Sequence, residues 1–167
     1  MRIRPVVTDS DLNQAYEIER SVYTKEAAAS LEAFLLRKEA FGAYFLVAEM
    51  ADIETVPTII GVTNGIKLNH IDLADESIKQ SIQSAANGSY WCILTIAVHP
   101  LHQRQGVATA LLQHIIRIAQ SDHLKGIVLM CEEHLIPFYE KHGFHYIAPS
   151  KSEHGGIQWH EMHLIWN

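Results

Sequence analysis

The feature that most constrains the fold is an apolar run that leads directly into a polar loop and a helix. Residues 91–98, from Trp91 to Val98, are nearly all apolar or β-branched, and Pro100 ends the run. Such a continuous run is typical of a strand that is covered on both faces of its sheet. From Val107 onwards, apolar residues fall at helical spacing. This predicts a helix over residues 106–120 with one buried face.

The loop between them has the sequence Gln103-Arg104-Gln105-Gly106 and is able to bind an anion. Its backbone N–H groups stand at the positive end of the helix dipole, Gly106 lets an anion approach the backbone, and Arg104 adds a cation. The natural ligand is a phosphate or pyrophosphate. The alternative is a tight turn with a solvated arginine, because the loop matches neither the P-loop nor the three-glycine dinucleotide fingerprint.

Two motifs, at residues 103–108 and 128–144, resemble those of the GNAT family, the acetyl-coenzyme A-dependent N-acetyltransferases. Residues 103–108 read Gln-Arg-Gln-Gly-Val-Ala after the strand end Ala-Val-His-Pro, and are similar to the signature Arg/Gln-x-x-Gly-x-Gly/Ala. Residues 128–144 contain Val-Leu-Met-Cys-Glu, then Pro-Phe-Tyr-Glu-Lys and Gly-Phe. That stretch is similar to the serotonin (arylalkylamine) N-acetyltransferase branch. The resemblance is specific from about residue 91 to 144, general before it and weak after it.

The resemblance implies an α/β (mixed α+β) fold, the GNAT fold, in which a central twisted mixed sheet of about six to seven strands is flanked by about four helices. It implies a single N-acetyltransferase domain over residues 1–167. Local patterns predict strands over residues 3–7, 43–50, 58–68, 89–98 and 126–132, and a terminal hairpin over 144–147 and 157–166 that turns near 154–156. They predict helices after the N-cap Thr8 and over residues 25–38, 106–120 and 133–142.

Two features interrupt these patterns. Gly61 and Gly65 indicate bulges in the strand over 58–68. Residues 69–88 are polar, with a possible short helix over 75–85, and are interpreted as an insertion. The insertion is either a surface excursion or a wall of the acceptor pocket.

Composition excludes several classes of function. Apolar residues make up 48% of the 167 residues, which is typical of a globular domain. The formal net charge of −6 gives binding to a nucleic acid no electrostatic support. No apolar run has the length of a membrane span, and the N-terminus lacks the apolar block of a signal peptide. Cys92 and Cys131 both fall in apolar runs, which favours buried, reduced thiols and a cytoplasmic protein. The histidines lack the spacing of a metal site, so we expect no metal.

The resemblance also implies site residues. The cofactor would be acetyl-CoA, acting as a co-substrate. Its pantetheine would bond to backbone groups of Ile96, Ala97 and Val98, with the N–H of Ala97 or Val98 as the oxyanion donor. Its pyrophosphate would be bound by the loop and the first helical turn, which comprise Arg104, Gln105, Gly106, Val107, Ala108 and Thr109.

Tyr139 stands at the family position of the acid that protonates the thiolate leaving group. The alternative is that its ring packs beside Phe138 and Phe144 while its hydroxyl reaches a backbone carbonyl.

The general base is where the sequence departs from the branch. The positions of the two family histidines hold Cys92 and Leu94. Leu94 accepts no proton, and burial raises the pKa of a thiol such as Cys92. Glu132 or Glu133 could act through a water, the alternative being an exposed helix cap, and solvent itself could take the proton. The Cys-Pro-Leu element of the branch corresponds to residues 27–31, which contain no proline.

The sequence therefore predicts an acetyl-CoA-dependent N-acetyltransferase that transfers acetyl to a primary amine by direct attack in a ternary complex. The amine is arylalkylamine-like or another small amine, no membrane partner is expected, and a homodimer is possible by resemblance to the family. The alternative is a catalytically weak acyl-CoA-binding GNAT domain that acts as a sensor or regulator.

Overall fold

The computed structural model describes residues 1–50, 57–71 and 84–166. The strands are β1 (Arg2–Pro5), β2 (Leu46–Met50), β3 (Thr58–Leu68), β4 (Tyr90–Val98), β5 (Gly126–Cys131), β6 (His145–Pro149) and β7 (His160–Ile165). The α-helices are α1 (Asp9–Val22), α2 (Leu31–Phe41), α3 (Val107–Ser121) and α4 (Ile136–Lys141). Most of the predicted insertion, including nearly all of its possible helix, lies outside the described residues.

The strands form one mixed sheet. Their order is β1-β2-β3-β4-β5-β7-β6. Every neighbouring pair is antiparallel except β4 and β5, which are parallel and joined through α3. Over the described ranges, seven strands and four α-helices confirm the predicted fold class.

Each face of the sheet carries its own hydrophobic cluster. Along β2, Leu46 and Ala48 pack with residues of α3, whereas Val47 packs with residues of α1 and α2. Because successive side chains of a strand point to opposite faces, α3 and the α1–α2 pair cover opposite sides. The sheet is therefore buried on both faces at β3 and β4, as the apolar run predicted.

A bulge in β4 shapes the centre of the sheet. Asn64 pairs with Thr95 and Gly65 pairs with Ile93, so Leu94 is an extra residue of β4. A Cβ at Gly65 would lie 1.9 Å from the carbonyl oxygen of Cys92, so only glycine fits this approach.

The pairing of β4 with β5 ends at Ile93 and Leu129, and the two strands separate beyond that point. The irregularity predicted at Gly65 is confirmed, but the extra residue is Leu94 on β4 and not a residue of β3. The irregularity predicted near Gly61 lies between β2 and β3, next to that glycine.

The predicted second helix over residues 25–38 is wrong at both ends. α2 begins after Ser30, whose side chain accepts a hydrogen bond from the N–H of Ala33, and it continues to Phe41. The preceding segment does not continue the helix because the N–H of Ala29 donates to the buried carboxylate of Glu19, 2.9 Å away.

The predicted start of α1 is confirmed. The Thr8 side chain and Asp11 form a capping box at its first turn.

Candidate active site

The loop before α3 has the geometry of an anion site. Gly106 precedes the helix with φ +84°, and Arg104 also adopts a positive φ, of 62°. No side chain caps the first turn of α3. The N–H groups of that turn have no partner within the helix, and they form the positive end of its dipole.

A cleft of about 720 Å³ opens at this turn. It is lined by Val22, Tyr23, Val98, Gln103, Arg104, Gly106, Val107, Ala108, Thr109, Glu132, His134, Leu135 and Phe138. Six of the nine residues predicted to bind the cofactor thus share one cleft. Of the other three, Ile96 lines a second cavity, Ala97 is buried and Gln105 is exposed.

The second cavity, which we call the inner cavity, lies where β4 and β5 separate. Its volume of about 20 Å³ has room for a single water molecule. It is lined by Tyr23, Ile93, Leu94, Ile96, Leu129, Met130, Cys131, Glu132, Leu135, Tyr139 and Trp159. Tyr23, Glu132 and Leu135 line both spaces, so the inner cavity lies beside the cleft.

Two backbone carbonyls of β4 are bonded by side chains here. The Tyr23 hydroxyl donates to the carbonyl of Ile96 at 3.4 Å, and the Gln103 amide donates to the carbonyl of Val98 at 3.2 Å. Burial raises the pKa of Tyr23 above its ordinary value, and the negative charges of Glu19 and Glu132 raise it further.

Tyr139 lines the inner cavity from α4. Its ring makes edge contacts with Phe138 and Phe144, at centroid distances of 5.0 and 5.5 Å. This is the packing that the alternative interpretation predicts. Its hydroxyl, however, has no hydrogen bond to any described residue, and burial raises its pKa well above the ordinary value for tyrosine. A neutral phenol is therefore present at neutral pH.

The two family histidine positions differ in their surroundings. Leu94, the bulge residue, lines the inner cavity, whereas Cys92 is a reduced thiol buried in the core. Cys131 also lines the inner cavity, and burial together with the nearby Glu132 raises its pKa to about 12. A thiol with such a pKa is almost entirely protonated at neutral pH and is a poor nucleophile.

A buried polar network that the sequence reasoning missed lies behind β4. Thr95 donates to Glu19 at 3.0 Å and accepts from Arg37 at 3.2 Å, while Arg37 also donates to Asn64 at 2.7 Å. All four side chains are at most 1% exposed. The available signal was a charged residue within the apolar stripe of each helix, next to Ile18 in α1 and three residues after Phe34 in α2.

The connection between β6 and β7 closes the inner cavity from another side. Trp159 lines the cavity, and its indole N–H donates to the carbonyl of His154 at 2.8 Å. A ring nitrogen of His154 lies 2.9 Å from the carbonyl oxygen of Ala27, in the segment between α1 and α2. A Cβ at Gly155 would lie 2.7 Å from the Ala27 side chain, so the two segments are closely packed. Trp159 was also missed, because the family resemblance is weak in this part of the sequence.

Comparison with known proteins identifies the family. The family model described as Acetyltransferase (GNAT) family matches residues 10–144, which is most of the chain. The chain therefore belongs to the GNAT acetyltransferase family.

The sequence is also similar to curated acetyltransferases. The serotonin N-acetyltransferase of Macaca mulatta is 30% identical over 91 residues, which are 53% of this chain and 45% of that protein. That of Homo sapiens is 32% identical over 69 residues, which are 41% of this chain and 33% of that protein. The chain thus matches less than half the length of either relative.

Solved structures show the same fold. The loading GNATL domain of CurA from Lyngbya majuscula superposes with a TM-score of 0.81 at 14% identity, covering 98% of this chain and 96% of that one. The NatC complex bound to Gag peptide and CoA gives a TM-score of 0.79 at 14% identity, covering 99% and 98%. At such identities the likeness concerns the fold alone.

The described residues contain no group of three or more His, Cys, Asp or Glu side chains placed to hold a metal ion. None of their helices combines the length and the apolarity needed to cross a bilayer.

Proposed function

We propose that the chain, as one domain over residues 1–167, is an N-acetyltransferase that transfers acetyl from acetyl-CoA to a primary amine. The observation that carries this proposal is that a cleft and a cavity adjoin each other. One is a large cleft at an uncapped helix N-terminus, and the other is a small cavity between separated strands that contains a neutral tyrosine.

The cleft suits the diphosphate and pantetheine of the cofactor. Arg104 and the N–H groups of Val107, Ala108 and Thr109 would bind the pyrophosphate, since these donors are not used within α3. The pantetheine would run along β4, where its amides replace the side-chain donors at the carbonyls of Ile96 and Val98.

The inner cavity suits the reacting groups. Tyr139 would donate its proton to the departing thiolate, because its hydroxyl is neutral and lacks a hydrogen bond to the described residues. Direct transfer is favoured over an acyl-enzyme. The thiol nearest the reaction, Cys131, has a pKa raised to about 12.

The acceptor would carry an apolar, arylalkylamine-like group. The inner cavity is lined mainly by apolar and aromatic side chains, among them Leu94, Met130 and Trp159. Its present volume does not admit such a group. Binding would therefore require the walls of the inner cavity to move apart.

The experiment that tests this function is acetyl-CoA turnover, followed by release of free thiol, with phenethylamine, tryptamine, polyamines and short peptides. We expect turnover with the arylalkylamines and a roughly tenfold or greater loss for Tyr139→Phe, on the scale of acid–base catalysis. Tyr146→Phe is the matched control, since Tyr146 is 40% exposed on β6 and bonds His160.

Acetyl-CoA binding without turnover on any amine would refute this proposal. It would favour the sensor or regulator, a function that the non-titratable Leu94 at a histidine position would fit.

A further inference from the structure

One carboxylate lines both the cleft and the inner cavity. Glu132 follows the last residue of β5 and precedes the short turn Glu133–Leu135, which carries the chain into α4. It is half-buried and lines both spaces. Glu133, the next residue, is exposed and lines neither. The two neighbouring carboxylates therefore have different surroundings, which the sequence alone did not distinguish.

The Glu132 carboxylate has no hydrogen bond or ion pair with the described residues. Its charge instead acts on two hydroxyl or thiol groups of the inner cavity, since it raises the pKa of Tyr23 and of Cys131. An anion without a cationic partner, at the opening of an apolar cavity, attracts an ammonium group and orients it towards the cavity. The carboxylate is half-exposed, so it also has access to the water that must carry a proton away.

We propose that Glu132 binds the substrate ammonium and accepts its proton before the attack. This inference rests on the proposed acetyltransferase function. The ammonium gives one proton to Glu132, and the neutral amine then attacks the thioester carbonyl. The new C–N bond forms and the C–S bond breaks, while Tyr139 protonates the thiolate. The second amine proton restores the tyrosine, and Glu132 passes the first proton to solvent. The sum is ammonium plus acetyl-CoA giving amide, CoA thiol and one released proton.

Other titratable or charged groups face the same space. From the elements that pack around Glu132, these are Tyr23, Arg104, Cys131, His134 and Tyr139. Arg104 is expected to be held by the cofactor phosphates. The two phenols and the thiol are neutral at neutral pH because their pKa values are raised. His134 is exposed at the outer cleft and does not line the inner cavity.

The test compares Glu132→Gln with Glu133→Gln across pH 6.5 to 9.5, with acetyl-CoA and phenethylamine. We expect Glu132→Gln to lower kcat/KM for the amine about 100-fold at pH 7. The loss shrinks below about tenfold at the highest pH, because solvent then supplies the neutral amine. The dissociation constant of Glu132→Gln for acetyl-CoA, measured by calorimetry, stays within about twofold of wild type. The kcat/KM of the control Glu133→Gln also stays within about twofold of wild type.

Three outcomes would overturn the inference. Unchanged activity of Glu132→Gln in an active wild-type background refutes it alone. A loss of the same size at every pH also refutes it alone, because it indicates a structural or positioning role. A wild type that binds acetyl-CoA and acetylates no amine refutes the proposed function, and the inference with it.

Discussion

Replacing Thr95 with valine is expected to cost far more stability than the change of one atom suggests. The hydroxyl of Thr95 donates to the Glu19 carboxylate at 3.0 Å and accepts from the Arg37 guanidinium at 3.2 Å. Valine has the same shape as threonine, but its side chain can neither donate nor accept a hydrogen bond. The two charged partners keep their bonds to Ala29 and Asn64, so the network is weakened rather than removed.

The magnitude follows from the charges. A hydrogen bond to a charged group is worth about 1.5–3 kcal/mol, so Thr95→Val should lower the free energy of unfolding by about 3–6 kcal/mol. Burial lowers the pKa of Arg37 to about 10, opposed by the charge of Glu19, so the guanidinium stays protonated at neutral pH. Water cannot replace the lost bonds, because both charged side chains are at most 1% exposed.

Thr63→Val on the neighbouring strand is the matched control. Thr63 is as buried as Thr95, and its hydroxyl makes one neutral hydrogen bond, to the Thr95 carbonyl at 2.8 Å. We expect it to cost about 1 kcal/mol. Urea unfolding at pH 7, monitored by tryptophan fluorescence, measures both variants against wild type. Equal losses for the two variants, or a loss near 1 kcal/mol for Thr95→Val, would refute the view that the network is ionic and stabilising.

Two further predictions concern the cleft and the N-terminus. Arg104→Ala should weaken acetyl-CoA binding about tenfold, the value of one charge-assisted hydrogen bond, while KM for the amine stays constant. Calorimetry with acetyl-CoA measures this, and an unchanged dissociation constant would remove Arg104 from the phosphate site. At Asp11, the hydrogen bonds from Arg4 hold the carboxyl pKa well below its ordinary 3.8, with further contributions from the backbone N–H groups of Thr8 and Val7. A carboxyl group whose pKa is lower in the folded protein stabilises the folded state at pH values above its pKa in the unfolded chain. Stability is therefore lost as the pH falls from about 5 towards the folded-state pKa. Asp11→Asn should lower stability at pH 7 by about 2–3 kcal/mol and flatten this dependence in urea titrations, whereas parallel curves for the two proteins would contradict the assignment.

The sequence predicted the part of the fold that depends on local patterns. The apolar run, the loop sequence and the amphipathic pattern predicted β4, the loop before α3 and α3 itself nearly to the residue. The capping signal at Thr8 placed α1 for the same reason. The glycines indicated the irregularities of the sheet because a position such as Gly65, whose backbone lies against the Cys92 carbonyl, has no room for a side chain.

What failed depended on partners that are distant in the sequence. Residues 25–29 contain good helix formers, yet the N–H of Ala29 bonds Glu19 and the carbonyl of Ala27 contacts His154. These tertiary contacts outweigh a helix propensity of a few tenths of a kcal/mol per residue. The inner cavity was equally hidden, since it brings Tyr23 and Trp159 to one place only after the sheet has formed.

If Glu132 accepts the amine proton as proposed, the geometry of the separated strands explains why no histidine is needed on β4. The bulge directs Leu94 towards the inner cavity from β4, and Glu132 lines the same cavity just beyond the end of β5. A proton acceptor on either strand would therefore reach an amine bound between them. The described lining of the cavity holds no cation, so nothing there would neutralise the Glu132 carboxylate before it met the ammonium. Under the proposed function, Leu94 therefore contributes an apolar wall to the inner cavity, and Glu132 contributes its proton acceptor.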